Sequence, residues 1–329
     1  MRKLFPLILC LCLLLTGCSD EEAEPTTQPA KRPQVSATVP TETIPETTVP
    51  EETALNTVVL RNQDVALRKS YVLIALSPEA PFLAQGVELN ETGADALAQW
   101  ISTEDTRNTV KNLGMEEFGE AIFTMPTDGL VYGGKIKEAT TATETIRLAV
   151  ESQIVDSGLT DVLLPAFEEA WGYTVTLTEG SPAAVLGAAR GGYADLILME
   201  SGPRTEALVT DGFARRVSGL PGPQIPVCAM QYLLCGPQDD PANIANCASV
   251  GESFAAIARG EFPFTSRGDD SSTHQLEQQF WPANQDFGDW YISADMEMGP
   301  CLVMNDLEGG YILTDKLTWL IYSTANGII

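Results

Sequence analysis

The sequence predicts an α/β fold in two similar-sized lobes, each a mostly parallel sheet flanked by helices. Between residues 145 and 200, short apolar runs alternate with amphipathic stretches at the spacing of βαβ units. After Gly219 a second series of strand-like and helix-like runs begins. With 329 residues and 44% hydrophobic side chains, the chain is long enough to bury two such cores.

The first residues are not part of this fold. Arg2 and Lys3 precede an apolar run from Leu4 to Leu15, too short and wrongly flanked for an ordinary spanning helix. Residues 1–17 therefore read as an export signal. Leu15-Thr16-Gly17-Cys18 resembles the bacterial lipobox, which implies cleavage before Cys18 and lipidation of its thiol. An ordinary secretory signal with a chance cysteine is the alternative. Residues 18–56 are rich in Thr, Pro and Glu and poor in large apolar residues. Such a tract buries too little surface to offset ordering entropy and is expected to remain an extended spacer. Cys228, Cys235, Cys247 and Cys301 stay in the body, where an exported protein is free to form disulfides. Cys228 and Cys235, seven apart in one strand-like run, fall on opposite faces and are not expected to pair. Buried free thiols are an equal expectation.

In the body, VVLRN (58–62) and YVLIALSP (71–78) read as strands. Residues 93–114 read as one helix, from Ala94, Leu97, Ala98 and Ile101 at helical spacing, with Gly93 leading in and Gly114 stopping it. Residues 126–144 are polar and Gly-containing and read as an exposed connection. TIRLAV (145–150) suits a buried parallel strand. It is followed by a helix at 157–172 with Ser157 as cap, a strand at 173–180, a helix at 183–192 and a strand at 194–200. The second series has a strand at 226–237, a helix at 251–262, a short strand at 263–268, a helix at 270–281 and a strand-plus-helix at 311–322. Ligands of such sheets collect at the carboxyl ends of strands, near helix N-termini.

Composition excludes some partners. A formal net charge of −26 is unsuited to holding phosphate backbones, so no nucleic acid is expected, and it gives no electrostatic grip on anionic lipid. The stretch SRGDDSSTH (266–274) concentrates one arginine, two aspartates, several hydroxyls and the only histidine of the chain. As a hydrolytic triad it fails, because its members are sequence neighbours without distinct converging roles, and no Gly-x-Ser-x-Gly elbow accompanies it. As a metal site it lacks a second histidine and a calcium-loop pattern, and no CxxC or zinc spacing occurs. Neither an enzyme nor a cofactor is expected. As an oxyanion cradle it fits: Gly268 permits a tight turn, Asp270 or Ser271 can cap the next helix, and the helix N-terminus offers N–H groups. Arg267 adds a charged two-pronged donor. Asp269 and Asp270 are expected as caps and His274 as structural.

Several stretches together resemble the substrate-binding proteins of tungstate ABC importers. They are IRLA with DSGLTDVLLPAFEEAWGYTV (156–175), YADLILM (193–199), FTSRGDDSSTHQLEQQFW (264–281), GDWYISADMEMG (288–299) and GGYILTDKLTWL (309–320), in the family's order across about half the chain. The resemblance implies a two-lobed periplasmic-binding-protein type II fold joined by a two-strand hinge. It further implies a monomer that holds tungstate or molybdate between its lobes and delivers it to ABC permease subunits, outside the cytoplasm and touching the membrane through the lipid anchor only. VVLRNQDVALRKSYVLIAL and AQWISTEDTRNTVKNLGMEEFGEAIFT resemble the family's C-terminal ending, yet precede its opening strand. A circular permutation accounts for this, with residues 126–144 joining the old ends. Lobe I would then be 78–225, lobe II 57–70 plus 236–329, and the hinge strands 71–77 and 226–235.

By the same resemblance the ligand-binding residues are Ser266, Arg267, Ser271, Thr273, Ser152, Gln153 and Ser181. Two family segments are rewritten. A Thr-Thr-Thr-Ser run stands here as Val150-Glu151-Ser152-Gln153, and a Gly-Thr-Gly-Gln-like turn as Glu179-Gly180-Ser181-Pro182. A Glu151 carboxylate about 4 Å from a dianion would repel it by roughly 8 kcal/mol at an effective dielectric near 20. Glu151 must therefore point away, be protonated or meet another ligand. A binding or sensing protein of the same fold with a different ligand, or none, is the alternative function.

Overall fold

The computed structural model describes residues 56–84, 86–126, 130–141 and 144–326, so the expectations for the signal, Cys18 and nearly all of the spacer lie outside the described residues. Strand β1 (Thr57–Arg61) leads through a 3-10 turn into β2 (Arg68–Ala75). The single helix expected over 93–114 is two, α1 (Glu91–Ile101) and α2 (Glu104–Asn112). Local hydrogen bonding makes the break. The Ser102 hydroxyl donates back to the Ala98 carbonyl at 2.9 Å, and Thr103, extended at ψ 157°, caps α2 by accepting from the Thr106 N–H. Asn90 caps α1, and Gly93 lies inside it, where a Cβ would meet Ile146 at 2.6 Å.

After α3 (Met115–Phe118) and β3 (Phe123–Thr124), residues 130–141 carry no helix or strand, although Ile136 is buried. Strand β4 (Thr145–Glu151) then runs into α4 (Ser152–Asp156), a helix missing from the sequence-based expectation. Helix α5 (Leu159–Trp171) starts after Gly158, whose φ of +73° makes the reversal, so Ser157 ends α4 instead of capping α5. There follow β5 (Thr174–Gly180), α6 (Pro182–Gly191), β6 (Leu196–Glu200), α7 (Pro203–Thr210), β7 (Ile225–Pro237) and α8 (Val250–Gly260). The chain continues through β8 (Phe264–Ser266), α9 (Ser272–Gln278), β9 (Tyr291–Ser293), α10 (Met298–Glu308), β10 (Tyr311–Asp315) and α11 (Lys316–Ala325). Helices α7 and α10 and strand β9 occupy stretches to which periodicity assigned nothing.

Two sheets share β7. Its first part, Ile225 to Gln231, pairs antiparallel with β2, and its last part, Tyr232 to Cys235, pairs antiparallel with β10. The first sheet carries the row β5-β4-β6-β2-β7, with β3 added at the edge; the second carries β9-β8-β10-β7-β1. In each five-strand row the fourth strand alone is antiparallel to its neighbours. Where the chain crosses between sheets, the buried Gln231 side-chain amide donates to the Leu67 carbonyl at 2.9 Å, tying the two crossing segments together.

Each sheet is covered on both faces, the two-lobed α/β architecture that the βαβ spacing predicts. One face of the first sheet packs under α1 and α5 around Phe167, Leu97 and Tyr71, and the other under α6 and α7 around Ile74, Ile197 and Leu208. The second sheet buries Phe254, Phe264 and Trp281 on one face and Cys301, Leu302 and Ile312 on the other. Cys228 and Cys235 point into different cores, and the four described cysteines are free thiols.

Asp195 anchors the start of β6. Its fully buried carboxylate accepts from the backbone N–H of Asn90 and Arg147 at 3.0 and 2.7 Å, and from the Arg147 guanidinium at 2.6 Å. Asp195→Ala strands these donors, and a urea titration is expected to show a loss of about 3 kcal/mol, at the low end for a broken buried pair because part of Arg147 stays wet. A loss below about 1 kcal/mol would contradict this anchoring role.

Candidate functional site

A cavity of about 340 Å³ opens where the carboxyl ends of the two sheets face each other. The first sheet contributes Glu151, Ser152, Gln153 and Asp156 at the β4–α4 junction, and Gly180, Ser181 and Pro182 between β5 and α6. From the second come Arg267, Asp269, Asp270, Ser271, Ser272 and Thr273 before and in α9, Glu297, Met298 and Gly299 at the start of α10, and Asp315, Leu317 and Thr318 at the start of α11. Parallel strands dictate this: β4, β5, β8, β9 and β10 run toward the gap, and the next helix after each begins there. Five helix N-termini, with their positive dipole ends and the first-turn N–H groups that side chains leave uncapped, thus surround one space.

Six of the seven residues singled out from the sequence line it: Arg267, Ser271, Thr273, Ser152, Gln153 and Ser181. Ser266 does not. It is the last residue of β8, fully buried beside the Glu277 carboxyl and the Tyr291 hydroxyl, because the strand's alternation turns its side chain into the core. The capping expectation is also corrected. Ser271 caps α9 by accepting from the His274 N–H at 3.3 Å, while Asp269 accepts from the Ser271 N–H one step earlier and Asp270 sits in the left-handed region at φ +56°. His274 is structural, its Nδ1 accepting from the Asp270 N–H at 3.0 Å. The strand and helix expected at 311–322 are present, but their arm of the cavity was not expected: Asp315 caps α11 by accepting from the Thr318 N–H and hydroxyl at 2.9 and 2.7 Å. The signal was present, an Asp closing an apolar run with a hydroxyl three residues on.

Electrostatically the cavity is mixed. Arg267 is the only basic side chain lining it among the described residues, and Asp269 holds its Nε at 2.7 Å, with Glu297 3.3 Å from its outer nitrogen. Burial alone would raise the Asp269 carboxyl, but hydrogen bonds from Ser271 and Arg267 outweigh it and leave it below the usual range. Asp156 shifts the other way: burial first, then the carboxylates of Glu179, Glu297 and Asp315, push it up against the pull of Arg267.

Glu151 answers the question raised by the rewritten strand end. It is 1% exposed, its Oε1 accepts from the Glu200 N–H at 3.2 Å, and its Oε2 is buried without a hydrogen-bond partner. Burial raises its pKa from 4.5 to about 7, so at neutral pH much of it is uncharged and turned toward β6. The folded chain then keeps a proton that the unfolded chain releases near pH 4.5, so this group weakens the fold as pH rises from about 5 to 8. Glu151→Gln keeps the shape without the charge. Its stability relative to wild type is expected to grow by on the order of 2–3 kcal/mol between pH 5 and pH 8 in urea titrations. A difference that does not change with pH would contradict the protonation.

Comparison with known proteins places these residues in a family. Residues 136–325 match the model of the PBP superfamily domain. A Haloferax volcanii protein named "Putative ABC transporter anion-binding protein" is 35% identical over 184 residues, 54% of this chain and 51% of that one. The tungstate-binding protein TupA of Peptoclostridium acidaminophilum is 32% identical over 189 residues, 56% of this chain and 63% of that one. The chain thus spans about half to 63% of the length of these curated relatives. Among solved structures, TupA from Desulfovibrio alaskensis G20 is 24% identical with a TM-score of 0.48, covering 57% of this chain and 73% of that one. Because the family model spans more than half of its residues, the chain belongs to the PBP superfamily of domains.

Proposed function

We propose that the chain is an extracytoplasmic solute-binding component of an ABC importer, holding a small oxyanion, tungstate or molybdate, between its two lobes. It binds and releases without turnover, as a monomer that hands its ligand to permease subunits. The observation that carries this is the convergence of five helix N-termini on one cavity that also contains Arg267. Free N–H groups and hydroxyls can solvate a dianion without adding counter-charge. Arg267, Ser271, Thr273, Ser152, Gln153 and Ser181 are the proposed ligand residues. The relatives' names, anion-binding and tungstate-binding, agree with that chemistry. Closure follows if the ligand binds the closed arrangement better than the open one.

Cys18 is the proposed lipid attachment point, with 18–56 as the spacer. The permutation is supported by strand order: read from β4 to α11 and then on to β1 and β2, both lobes acquire one order, second-first-third-intruder-fourth. In that reading β7 is the fourth strand of one lobe and the intruder of the other, and β1 with β2 does the reverse. Lobe I is then 78–225 and lobe II 57–70 plus 236–329, with 71–77 and 226–235 as the strands between them. One observation favours a second function on the same fold, with a ligand carrying a cationic group: Asp269 and Glu297 already neutralise Arg267, and acidic side chains line the cavity.

Calorimetric titration of the body from Thr57 onward separates the two. Tungstate or molybdate is expected to bind, Arg267→Ala to abolish binding, and Arg267→Lys to weaken it by about tenfold or more through loss of the two-pronged donor. Equal affinity in wild type and Arg267→Ala would remove Arg267 from the site. Binding of a cationic solute with no oxyanion response would establish the second function.

A further inference from the structure

Gln153 stands at the second position of α4, and its side-chain oxygen is occupied from behind. Oε1 accepts from the Tyr71 hydroxyl at 2.8 Å and from the Tyr232 hydroxyl at 2.9 Å. Both tyrosines are fully buried, and they come from different sheets: Tyr71 from β2, and Tyr232 from the first residue of β7 that pairs in the second sheet. The Thr273 side chain lies beside the Tyr232 hydroxyl and also lines the cavity.

This fixes which end of the amide faces the ligand. Gln153 is the only hydrogen-bond partner of the Tyr71 hydroxyl among the described residues. Were the amide turned over, its NH2 would donate to that oxygen and the buried Tyr71 proton would have no acceptor, an arrangement folded proteins avoid. With Oε1 held by two donors, Nε2 is the end left for the cavity that Gln153 lines, and it has no partner among the described residues. A lone glutamine can turn either end to a ligand; this one cannot.

We propose that Tyr71 and Tyr232 are positioning residues that lock the Gln153 amide as a donor-only group, so that the ligand atom beside it must be a hydrogen-bond acceptor. The assignment rests on the oxyanion reading above and adds its polarity rule: where hydroxyls would accept or donate at will, this site offers two fixed N–H bonds. Because one tyrosine belongs to each sheet, the lock also holds the relation between lobes at the point where β7 crosses.

Tyr71→Phe, Tyr232→Phe, the double variant and Gln153→Glu, in the body from Thr57 onward, test it by calorimetry with sodium tungstate and sodium molybdate. Each variant's thermal midpoint without ligand is followed alongside, to separate site effects from folding. The double variant is expected to bind at least about tenfold more weakly than wild type, each single variant less so, and Gln153→Glu, which replaces the donor by an acceptor, not to bind. In NMR spectra without ligand the Gln153 side-chain NH2 pair is expected away from random-coil shifts in wild type and moved toward them in the double variant, and tungstate is expected to displace the wild-type pair. A merely structural role would lower the midpoint and leave that resonance pair in place. Wild type that binds tungstate with an affinity the double variant retains overturns this assignment alone. Wild type that binds neither oxyanion overturns the proposed function and this assignment together.

Discussion

Strand β7 is the constraint on which the rest of the structure depends. Thirteen residues run uninterrupted through two sheets, and every residue from Val227 to Gly236 is buried. Such a strand cannot be shifted in register without exposing one core, since a one-residue slip turns each side chain to the opposite face. Its passage from one sheet to the other at Gln231 and Tyr232 sets the lobes so that the carboxyl ends of both parallel rows face one gap. The position of the cavity is a consequence of that strand, not of the cavity's own residues.

The chemistry of the gap follows from the same geometry. Helix N-termini arrive there regardless of sequence, and what the sequence decides is how they are finished. Ser181, Ser271 and Asp315 close their own helices and so spend side-chain acceptors on backbone N–H groups. Asp269 is held by Arg267 and Ser271, and Glu151 is buried, turned to β6 and partly uncharged. Several carboxylates are therefore committed elsewhere, and the donors at Ser152 and Gln153 remain on the cavity side. An acidic protein with a net charge of −26 accommodates the proposed anion site this way, because distant charge is screened beyond about 8–10 Å while local donors are not.

Much of this was legible in the sequence, for identifiable reasons. Strands β4, β6, β7 and β10 are apolar runs between turn residues and β5 alternates Thr with Val and Leu, so their existence and order could be read directly. The failures cluster where local hydrogen bonding overrides periodicity. The α1–α2 break needs two hydroxyls acting on backbone groups, and α4 is too short for a periodic signal, though it carries Ser152 and Gln153. Strand β9 has three residues whose alternation cannot be told from a loop. At the site, residue types pointed to a loop that lines the cavity, but facing could not be read: Ser266 and Arg267 are neighbours, one in the core and the other in the cavity. The tyrosine pair behind Gln153 leaves no sequence signature, because it forms only when two distant strands lie side by side.

The most direct test of the central claim is a crystal structure of the body with tungstate, its position marked by the anomalous scattering of tungsten. The account predicts one peak between the sheets, within hydrogen-bond reach of Arg267 and of Gln153 Nε2, with Glu151 still turned to the Glu200 N–H. An empty cavity at millimolar tungstate, or a peak elsewhere on the molecule, would contradict it.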